Sequence, residues 1–198
     1  MKTPQRPETA QAKQELRTSM RRARRERAAD STPQQRAAAA RALSRTVRDL
    51  LAELSAAGPQ PVRTVAAFES LPTEVPTDAL LRDLVAGGFA VIVPILLPDK
   101  DLDWMPWVGP GEFAEPLGTQ GIAQAQVVLV PAMAVDGHGH RLGQGGGSYD
   151  RALPRRRPGV PVVAVVDDAE LRTEPLPVAE HDTPVDACVT PTRRLLFA

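Results

Sequence analysis

The 198-residue sequence has one cysteine, few aromatic residues and no excess of charge of either sign. A single Cys188 excludes an internal disulfide framework and a zinc site built from cysteines. Its neighbours Ala187 and Val189 are apolar, so we expect a buried, unreactive thiol. Lys plus Arg and Asp plus Glu both number 24. The resulting formal charge of zero argues against bulk nucleic-acid binding, which needs positive charge to displace counterions.

Long apolar runs are also missing. No stretch approaches the roughly 20 apolar residues of a membrane-spanning helix, and residues 1–14 lack the apolar core of a signal peptide. We therefore expect a cytoplasmic protein that acts without a membrane. Hydrophobic residues still make up 42% of the chain, enough to form a core, which argues against disorder. The 20 prolines favour short elements over a long coiled coil.

Helical and extended segments alternate along most of the chain. Residues 1–12 are polar and predict a disordered lead-in to a single domain over 13–198. Apolar residues at helical spacing predict helices over 13–27 and from Pro33, after a Thr32 cap, to Gly58. Such alternation predicts an α/β fold: a Rossmann-like three-layer α/β/α sandwich with a mainly parallel sheet and an N-terminal helical arm. The remaining predicted helices cover 77–85 and 149–153, and the predicted strands cover 64–68, 89–93, 103–107, 127–130, 160–166 and 187–190.

Two charged patterns suggest other functions only weakly. Arginines crowd residues 17–27 without interleaved aromatic residues to stack on bases. We interpret residues 21–27 as a solvated helix face rather than an RNA-binding surface. His138 and His140 lie two apart in a glycine-rich stretch, a spacing that is more often incidental than a zinc site.

The most informative segment covers residues 127–151, where a buried strand is followed by a glycine-rich loop and then a helix. Glycines occupy positions 137, 139, 143, 145, 146 and 147. Closely spaced glycines let backbone N–H groups surround an anion, and a helix N-terminus adds partial positive charge. Arg141 suits a phosphate and Asp150 suits Mg²⁺. The pattern predicts a nucleoside-triphosphate site; the alternative is a flexible surface loop.

Common phosphate-binding fingerprints do not fit this loop, but one family signature does. No Gly-Lys-Ser/Thr follows the glycines, and Ser148 stands where a GxGxxG pattern needs glycine. The run from Arg141 to Arg151 resembles the signature of the 5-formyltetrahydrofolate cyclo-ligases, also called 5,10-methenyltetrahydrofolate synthetases. The resemblance spans about residues 13–190 in order. It includes Lys13 with Arg17, Glu74-Val75-Pro76-Thr77, Glu115-Pro116, and residues 177–186 with Glu180, His181 and Asp182.

This resemblance implies an ATP- and Mg²⁺-dependent enzyme that converts 5-formyltetrahydrofolate to 5,10-methenyltetrahydrofolate, ADP and phosphate. It implies two small-molecule partners, a reduced folate and ATP, and no protein nucleophile. We expect a monomer. The protein's task would be to position the two substrates and to neutralise charge during phosphoryl transfer.

The resemblance also implies a role for individual residues. Catalytic roles fall on Arg141 and Tyr149, substrate binding on Glu69 and Glu74, and metal binding on Asp150 and Asp182. The implied ATP-binding residues are Lys13, Arg17, Arg141, Leu142, Gly143, Gln144, Gly145, Gly146, Gly147, Ser148 and Tyr149. From spacing alone, several of these residues have ordinary structural interpretations, such as a solvated helix face for Lys13 and Arg17.

Two departures from the family pattern keep alternatives open. The aromatic or glycine that precedes the family's Glu-Pro pair lacks a clear counterpart here, with Phe113, Trp104 and Trp107 as candidate replacements. Ser148 stands where the family commonly has an aromatic residue facing the folate. A non-catalytic paralogue that binds nucleotide or folate is therefore one alternative. The other is an enzyme of similar fold that acts on a sugar phosphate or an acyl-CoA.

Overall fold

Two long helices open the chain. In the computed structural model, which describes residues 7–112, 114–179 and 182–197, α1 covers Pro7–Asp30 and α2 covers Pro33–Ala57. Because α1 begins at Pro7, residues 7–12 are helical and the predicted lead-in is wrong there; residues 1–6 lie outside the described residues. The predicted cap of α2 is confirmed, since Gln35 N donates to Thr32 Oγ1 at 3.2 Å and Thr32 N donates to Gln35 Oε1 at 2.8 Å. No helix within the described ranges is long and apolar enough to cross a membrane.

Seven strands form the main sheet, in the order β10-β9-β7-β4-β1-β2-β3, and three short strands form a second sheet in the order β6-β5-β8. The strands are β1 Thr64–Ala66, β2 Ala90–Leu96, β3 Leu102–Pro106, β4 Val127–Pro131, β5 Ala134–Asp136, β6 Arg141–Leu142, β7 Val162–Val165, β8 Leu171–Arg172, β9 Ala187–Val189 and β10 Arg194–Leu196. The other helices are α3 Asp78–Ala86, α4 Ser148–Ala152 and three 3₁₀ turns, Thr119–Gln124, Leu153–Arg155 and Asp168–Glu170.

The five central strands of the main sheet are parallel, and only the edge strands β3 and β10 are antiparallel. This confirms the predicted mainly parallel sheet. Contrary to prediction, β2 continues through Pro94 to Leu96. Its neighbour β1 pairs only as far as Ile92, so one side of β2 is open at the proline.

Both faces of the main sheet are covered, which confirms the three-layer α/β/α prediction. Alternate strand residues face opposite sides, so Val65 contributes to one core and Ala66 to the other. On the first face, α2 and α3 pack Leu43, Val47, Leu50, Leu80 and Leu84. On the second face, the 3₁₀ turn Thr119–Gln124 and α4 contribute Ile122 and Ala152 beside Trp104.

The helix α1 packs on the second, smaller sheet. Leu16 and Met20 contact a cluster of buried residues, namely Met133, Ala134, Leu142 and Leu176. The sequence predicted one glycine loop over 137–147, whereas residues 141–142 form β6. The turn before β6 is closed by the buried carboxylate of Asp136, which accepts N–H bonds from His138 at 2.9 Å and His140 at 3.0 Å. Burial would raise the pKa of Asp136, but the backbone N–H groups outweigh burial and lower it.

Gly139 in this turn provides a test of the packing. Its φ is +79°, and a Cβ there would lie 2.8 Å from the Val185 carbonyl oxygen and 2.9 Å from the Phe197 ring. Gly88 has a similar φ of +83° with nothing within 4 Å. Both alanine variants carry a left-handed backbone cost of about 1–2 kcal/mol. We expect urea unfolding to show a loss of about 3 kcal/mol or more for Gly139→Ala, because the clash adds to that cost. Equal losses in the two variants would contradict a clash.

Candidate active site

One face of α1 carries the basic residues that reach the site. Lys13, Arg17, Arg21, Arg24 and Arg27 recur every three or four residues, so they lie along one side of the helix. This side faces the small sheet, the glycine loop and the carboxyl ends of central strands. The first three side chains each contact a different residue of that surface. Arg24 and Arg27 share the carboxylate of Glu170.

Arg24 is only 3% exposed and is surrounded by acceptors. Its Nε and Nη2 donate to the two carboxylate oxygens of Glu170 at 2.7 and 2.9 Å, and Nη1 donates to Glu74 Oε1 at 3.1 Å. Nη2 also donates to the Ala132 carbonyl at 2.5 Å. The interpretation of residues 21–27 as a solvated face is therefore wrong for Arg24. Its place in the same helical stripe as Met20 was the available signal for burial.

The charges around Arg24 balance. Arg27 Nη2 donates to Glu170 Oε1 at 2.5 Å, so two arginines face the carboxylates of Glu74 and Glu170. Burial alone would lower the pKa of Arg24, but the hydrogen bonds and charges of Glu170 and Glu74 outweigh it and raise the pKa. We call Arg24, Arg27, Glu74 and Glu170 the Arg24 cluster. It fastens the last two turns of α1 to the carboxyl edge of the sheet.

The first turns of α1 contact the glycine loop and the C-terminal segment. Arg17 Nε donates to the Gly143 carbonyl at 3.0 Å. Lys13, which is 6% exposed, pairs with Asp182. The pKa of Arg17 is lowered, first by burial and then by the charge of Arg21, with Asp182 opposing the shift. The structure thus brings Arg17 onto the predicted loop, whereas Lys13 contacts the C-terminal segment at Asp182.

The loop itself depends on glycine at two positions. Gly145 has φ +99°, and a Cβ there would lie 3.4 Å from the Nε of Arg17. Gly147 has φ +69° in the left-handed region and leads directly into α4 at Ser148. Residues with side chains rarely adopt these angles, so the conformation of the loop favours glycine at both positions. Leu142 is buried in the small-sheet core, so its side chain faces away from any ligand.

Arg141 in β6 lies beside Tyr149 and Asp150 in the first turn of α4. Arg141 Nη2 donates to Asp150 Oδ1 at 2.7 Å, so the predicted phosphate ligand and one predicted metal ligand are paired with each other. The Nε of Arg141 and the hydroxyl of Tyr149 are buried without a hydrogen-bond partner among the described residues. Burial, with a further contribution from the charge of Glu74, raises the pKa of Tyr149. Two buried donors without acceptors suit an oxygen-rich anion.

The two predicted substrate residues differ in their surroundings. Glu74 is buried; Oε1 accepts from Arg24, and Oε2 accepts from the Leu71 N–H at 2.9 Å. Glu69 is exposed, and its Oε1 accepts from Trp107 Nε1 at 2.9 Å. Of the three candidate replacements for the aromatic before the Glu-Pro pair, Trp104 and Trp107 are both buried in the core and Phe113 lies outside the described residues. Trp107 is the ring that contacts a predicted substrate residue.

The two predicted metal ligands suit a metal ion that is also coordinated by the phosphate oxygens of a substrate. Asp150 pairs with Arg141 and Asp182 with Lys13, and both carboxylates act on the pKa of Arg17. Within 7–112, 114–179 and 182–197 there is no group of three His, Cys, Asp or Glu residues arranged to hold a metal. Mg²⁺ commonly uses one or two carboxylates together with substrate phosphates, so two carboxylates suffice. The neighbouring Glu180 and His181 of the resemblance lie outside the described residues.

Comparisons with known proteins agree on one family. Residues 9–191 match the model of the 5-formyltetrahydrofolate cyclo-ligase family. The chain is 37% identical over 150 residues to the 5-formyltetrahydrofolate cyclo-ligase of Mycolicibacterium smegmatis, covering 68% of this chain and 76% of that protein. It is 33% identical over 144 residues to the enzyme of that name from Escherichia coli K12, covering 66% and 79%.

Solved structures show the same fold. A 5,10-methenyltetrahydrofolate synthetase from Mycoplasma pneumoniae superposes with a TM-score of 0.66 at 16% identity, covering 88% of this chain and 98% of that one. The 5,10-methenyltetrahydrofolate synthetase of Aquifex aeolicus gives a TM-score of 0.63 at 24% identity, covering 91% and 92%. At these identities the likeness supports the α/β fold.

The Arg24 cluster predicts a large, specific loss of stability. Arg24→Ala leaves the buried carboxylates of Glu170 and Glu74 without their main partner, which typically costs about 3–5 kcal/mol. Arg22→Ala is the matched control, because Arg22 is 78% exposed and forms only an exposed pair with Glu26. Urea unfolding should show a loss of about 3 kcal/mol or more for Arg24→Ala and under about 0.5 kcal/mol for Arg22→Ala. Similar losses would refute a buried cluster.

Proposed function

The chain belongs to the 5-formyltetrahydrofolate cyclo-ligase family, and from that premise we propose that it uses ATP to convert 5-formyltetrahydrofolate to 5,10-methenyltetrahydrofolate. One observation carries the proposal beyond family membership. The cations of α1 meet the glycine loop beside two buried donors without acceptors, on Arg141 and Tyr149. That arrangement suits a ligand with many anionic oxygens, as a triphosphate has.

The chemistry explains why ATP is consumed. The formyl oxygen on N5 attacks the γ-phosphorus, and ADP leaves. The nitrogen N10 then attacks the activated formyl carbon, the C–O bond breaks, phosphate departs and the N10 proton is lost. An amide oxygen is a poor leaving group until it becomes a phosphate ester. The protein therefore has to align N5-formyl, γ-phosphate and N10, and to neutralise charge on the transferred group.

In this proposal the triphosphate lies along the glycine loop. Lys13, Arg17 and Arg141 contact phosphate oxygens, and loop residues 142–149 complete the site through backbone N–H groups and the Tyr149 hydroxyl. The support is geometric. The loop conformation depends on Gly145 and Gly147, and Arg17 packs directly on it.

We assign Asp150 and Asp182 to a Mg²⁺ ion, which when bound would neutralise charge on the phosphates. Each carboxylate is paired in the structure, Asp150 with Arg141 and Asp182 with Lys13. Ligand binding would exchange these pairs: the carboxylates turn to the divalent ion, and the two cations turn to phosphate oxygens. Because every charged group keeps a partner, the exchange avoids leaving a charge buried alone.

The folate lies on the Glu74 side of the loop in this proposal. A carboxylate has about four lone-pair positions, and Arg24 and Leu71 use one oxygen each, so Glu74 retains capacity for a pterin N–H group. We place the Tyr149 hydroxyl, which is buried without a hydrogen-bond partner among the described residues, between the folate and the triphosphate. Glu69 and Trp107 form the second part of the substrate site.

The proposal makes the partners small molecules. A cytoplasmic monomer that acts without nucleic acid or a membrane stays our prediction.

Purified protein with 5-formyltetrahydrofolate, ATP and Mg²⁺ should produce the near-ultraviolet band of the conjugated methenyl product. ATP binding without turnover would instead support the non-catalytic paralogue. Binding of a sugar phosphate or coenzyme A, with no ATP consumed, would support the second alternative, an enzyme of similar fold with a different substrate.

Arg141 is the sharpest test of the triphosphate assignment. Replacing it with alanine removes a charge-assisted phosphate contact, and we expect the KM for ATP to rise about tenfold or more while the KM for the folate stays near its original value. Arg193→Ala is the control, since Arg193 is 64% exposed and its nearest carboxylate contact is 3.8 Å away. Initial rates at varied ATP concentration give the answer; an unchanged KM for ATP would remove Arg141 from the site.

Ser148 tests the folate assignment. We expect Ser148→Tyr to tighten 5-formyltetrahydrofolate binding about two- to tenfold, because an added ring facing the pterin contributes roughly 0.5–1.5 kcal/mol. Ser148→Ala, which adds no ring, should leave the Kd within about twofold. Titration calorimetry with the folate alone measures both variants. A weaker or unaltered Kd for the tyrosine variant would show that another part of the pocket replaces the missing ring.

A further inference from the structure

Two arginines of α1 hold successive carbonyl groups of the glycine loop. Arg17 Nε donates to the carbonyl of Gly143 at 3.0 Å, and Arg21 Nη2 donates to the carbonyl of Gln144 at 2.9 Å. These are charge-assisted bonds, which are stronger than bonds between neutral groups. The family resemblance gives Arg17 a role and gives Arg21 none.

A third arginine also holds a carbonyl group of this loop. Arg151 lies in α4, and its Nη2 donates to the carbonyl of Gly146 at 3.1 Å. The same nitrogen donates to the Lys100 carbonyl at 2.6 Å, in the turn between β2 and β3. The loop is therefore fastened to the main sheet through Arg151 and to α1 through Arg21.

These bonds set the direction of the loop's peptide dipoles. In a trans peptide the C=O and the next residue's N–H point in opposite directions. Holding the three carbonyls on arginines therefore turns the N–H groups of Gln144, Gly145 and Gly147 away from those arginines. None of these three N–H groups donates to another residue in the part of the chain that the structure describes. A row of unpaired N–H groups, with its carbonyl oxygens turned aside and neutralised, is suited to bind an anion.

We propose that Arg21 and Arg151 are positioning residues of a polyphosphate site, which orient the loop's N–H groups through the carbonyl groups that they hold. The proposal rests on the proposed function, because the polyphosphate is that of ATP. It differs from the roles proposed for Lys13, Arg17 and Arg141, which contact phosphate. It also explains why α1 carries a basic residue at position 21, one turn beyond Arg17 on the same face.

The test compares Arg21→Ala with Arg22→Ala, which removes the same charge from the next residue of α1 on its exposed face. Titration calorimetry with ATP, with inorganic tripolyphosphate and with 5-formyltetrahydrofolate gives three Kd values per variant. We expect Arg21→Ala to weaken ATP and tripolyphosphate binding about tenfold and to leave the folate Kd within about twofold. Arg22→Ala should leave all three within about twofold.

A spectroscopic measurement separates positioning from direct contact. In the ligand-free protein, Arg21→Ala should shift the backbone amide resonance of Gly145, and Arg151→Ala that of Gly147, because each variant releases the peptide that carries that N–H group. A residue that only contacts phosphate would leave the free loop unchanged. Arg22→Ala should move neither resonance.

The outcomes distinguish this inference from the proposed function. Tripolyphosphate binding that weakens in Arg21→Ala, without any ATP binding by the original protein, would support the inference and overturn the proposed function. ATP binding that Arg21→Ala leaves unchanged would overturn the inference alone, as would weaker ATP binding with an unmoved Gly145 resonance. If the original protein binds neither probe, both fail.

Discussion

The position of α1 depends on one buried guanidinium. Arg24 is 3% exposed and has lost nearly all contact with water, so its charge has to be matched by the protein. Glu170, Glu74 and the Ala132 carbonyl supply that match from three separate segments. Since the fork geometry of arginine is rigid, a small rotation or shift of α1 would leave these charges unpaired. The helix is thereby fixed, and the cations one to three turns before Arg24 are carried to the glycine loop.

The parallel sheet explains why three segments meet at one arginine. Glu74 follows β1, Ala132 follows β4, and Glu170 follows β7, and these three strands are neighbours in the sheet. Parallel neighbours have their carboxyl ends at the same edge, so the loops that follow them converge. The same edge leads, through β5 and β6, to the glycine loop. The strand order therefore brings the acceptors together, and α1 supplies the donors.

Local signals in the sequence predicted much of this arrangement. The Thr32 cap, the buried strand over 127–130 and the helix start near Tyr149 each depend on neighbouring residues, and the structure confirms them. The short strands β5, β6, β8 and β10 have two or three residues each, too few for a periodic pattern, and their pairing is set by tertiary contacts. The burial of Arg24 was missed for a related reason. Its partner Glu170 lies 146 residues away in the sequence. The residues next to Arg24 indicate only a basic helix, so they do not predict that its side chain is buried.

The ion pairs of the candidate site join cations proposed to contact phosphate to carboxylates proposed to bind Mg²⁺. The chain has no net charge, and two of the three cations proposed to contact phosphate are paired with carboxylates. Lys13 has Asp182, and Arg141 has Asp150. An unbalanced cluster would destabilise the free protein through self-repulsion, whereas paired charges do not. A polyphosphate that arrives with a divalent cation can exchange partners with both pairs. The number of ion pairs is the same before and after this exchange, so the exchange itself contributes little to the affinity. The affinity of the site then depends on how well the loop's N–H groups are oriented before the ligand binds.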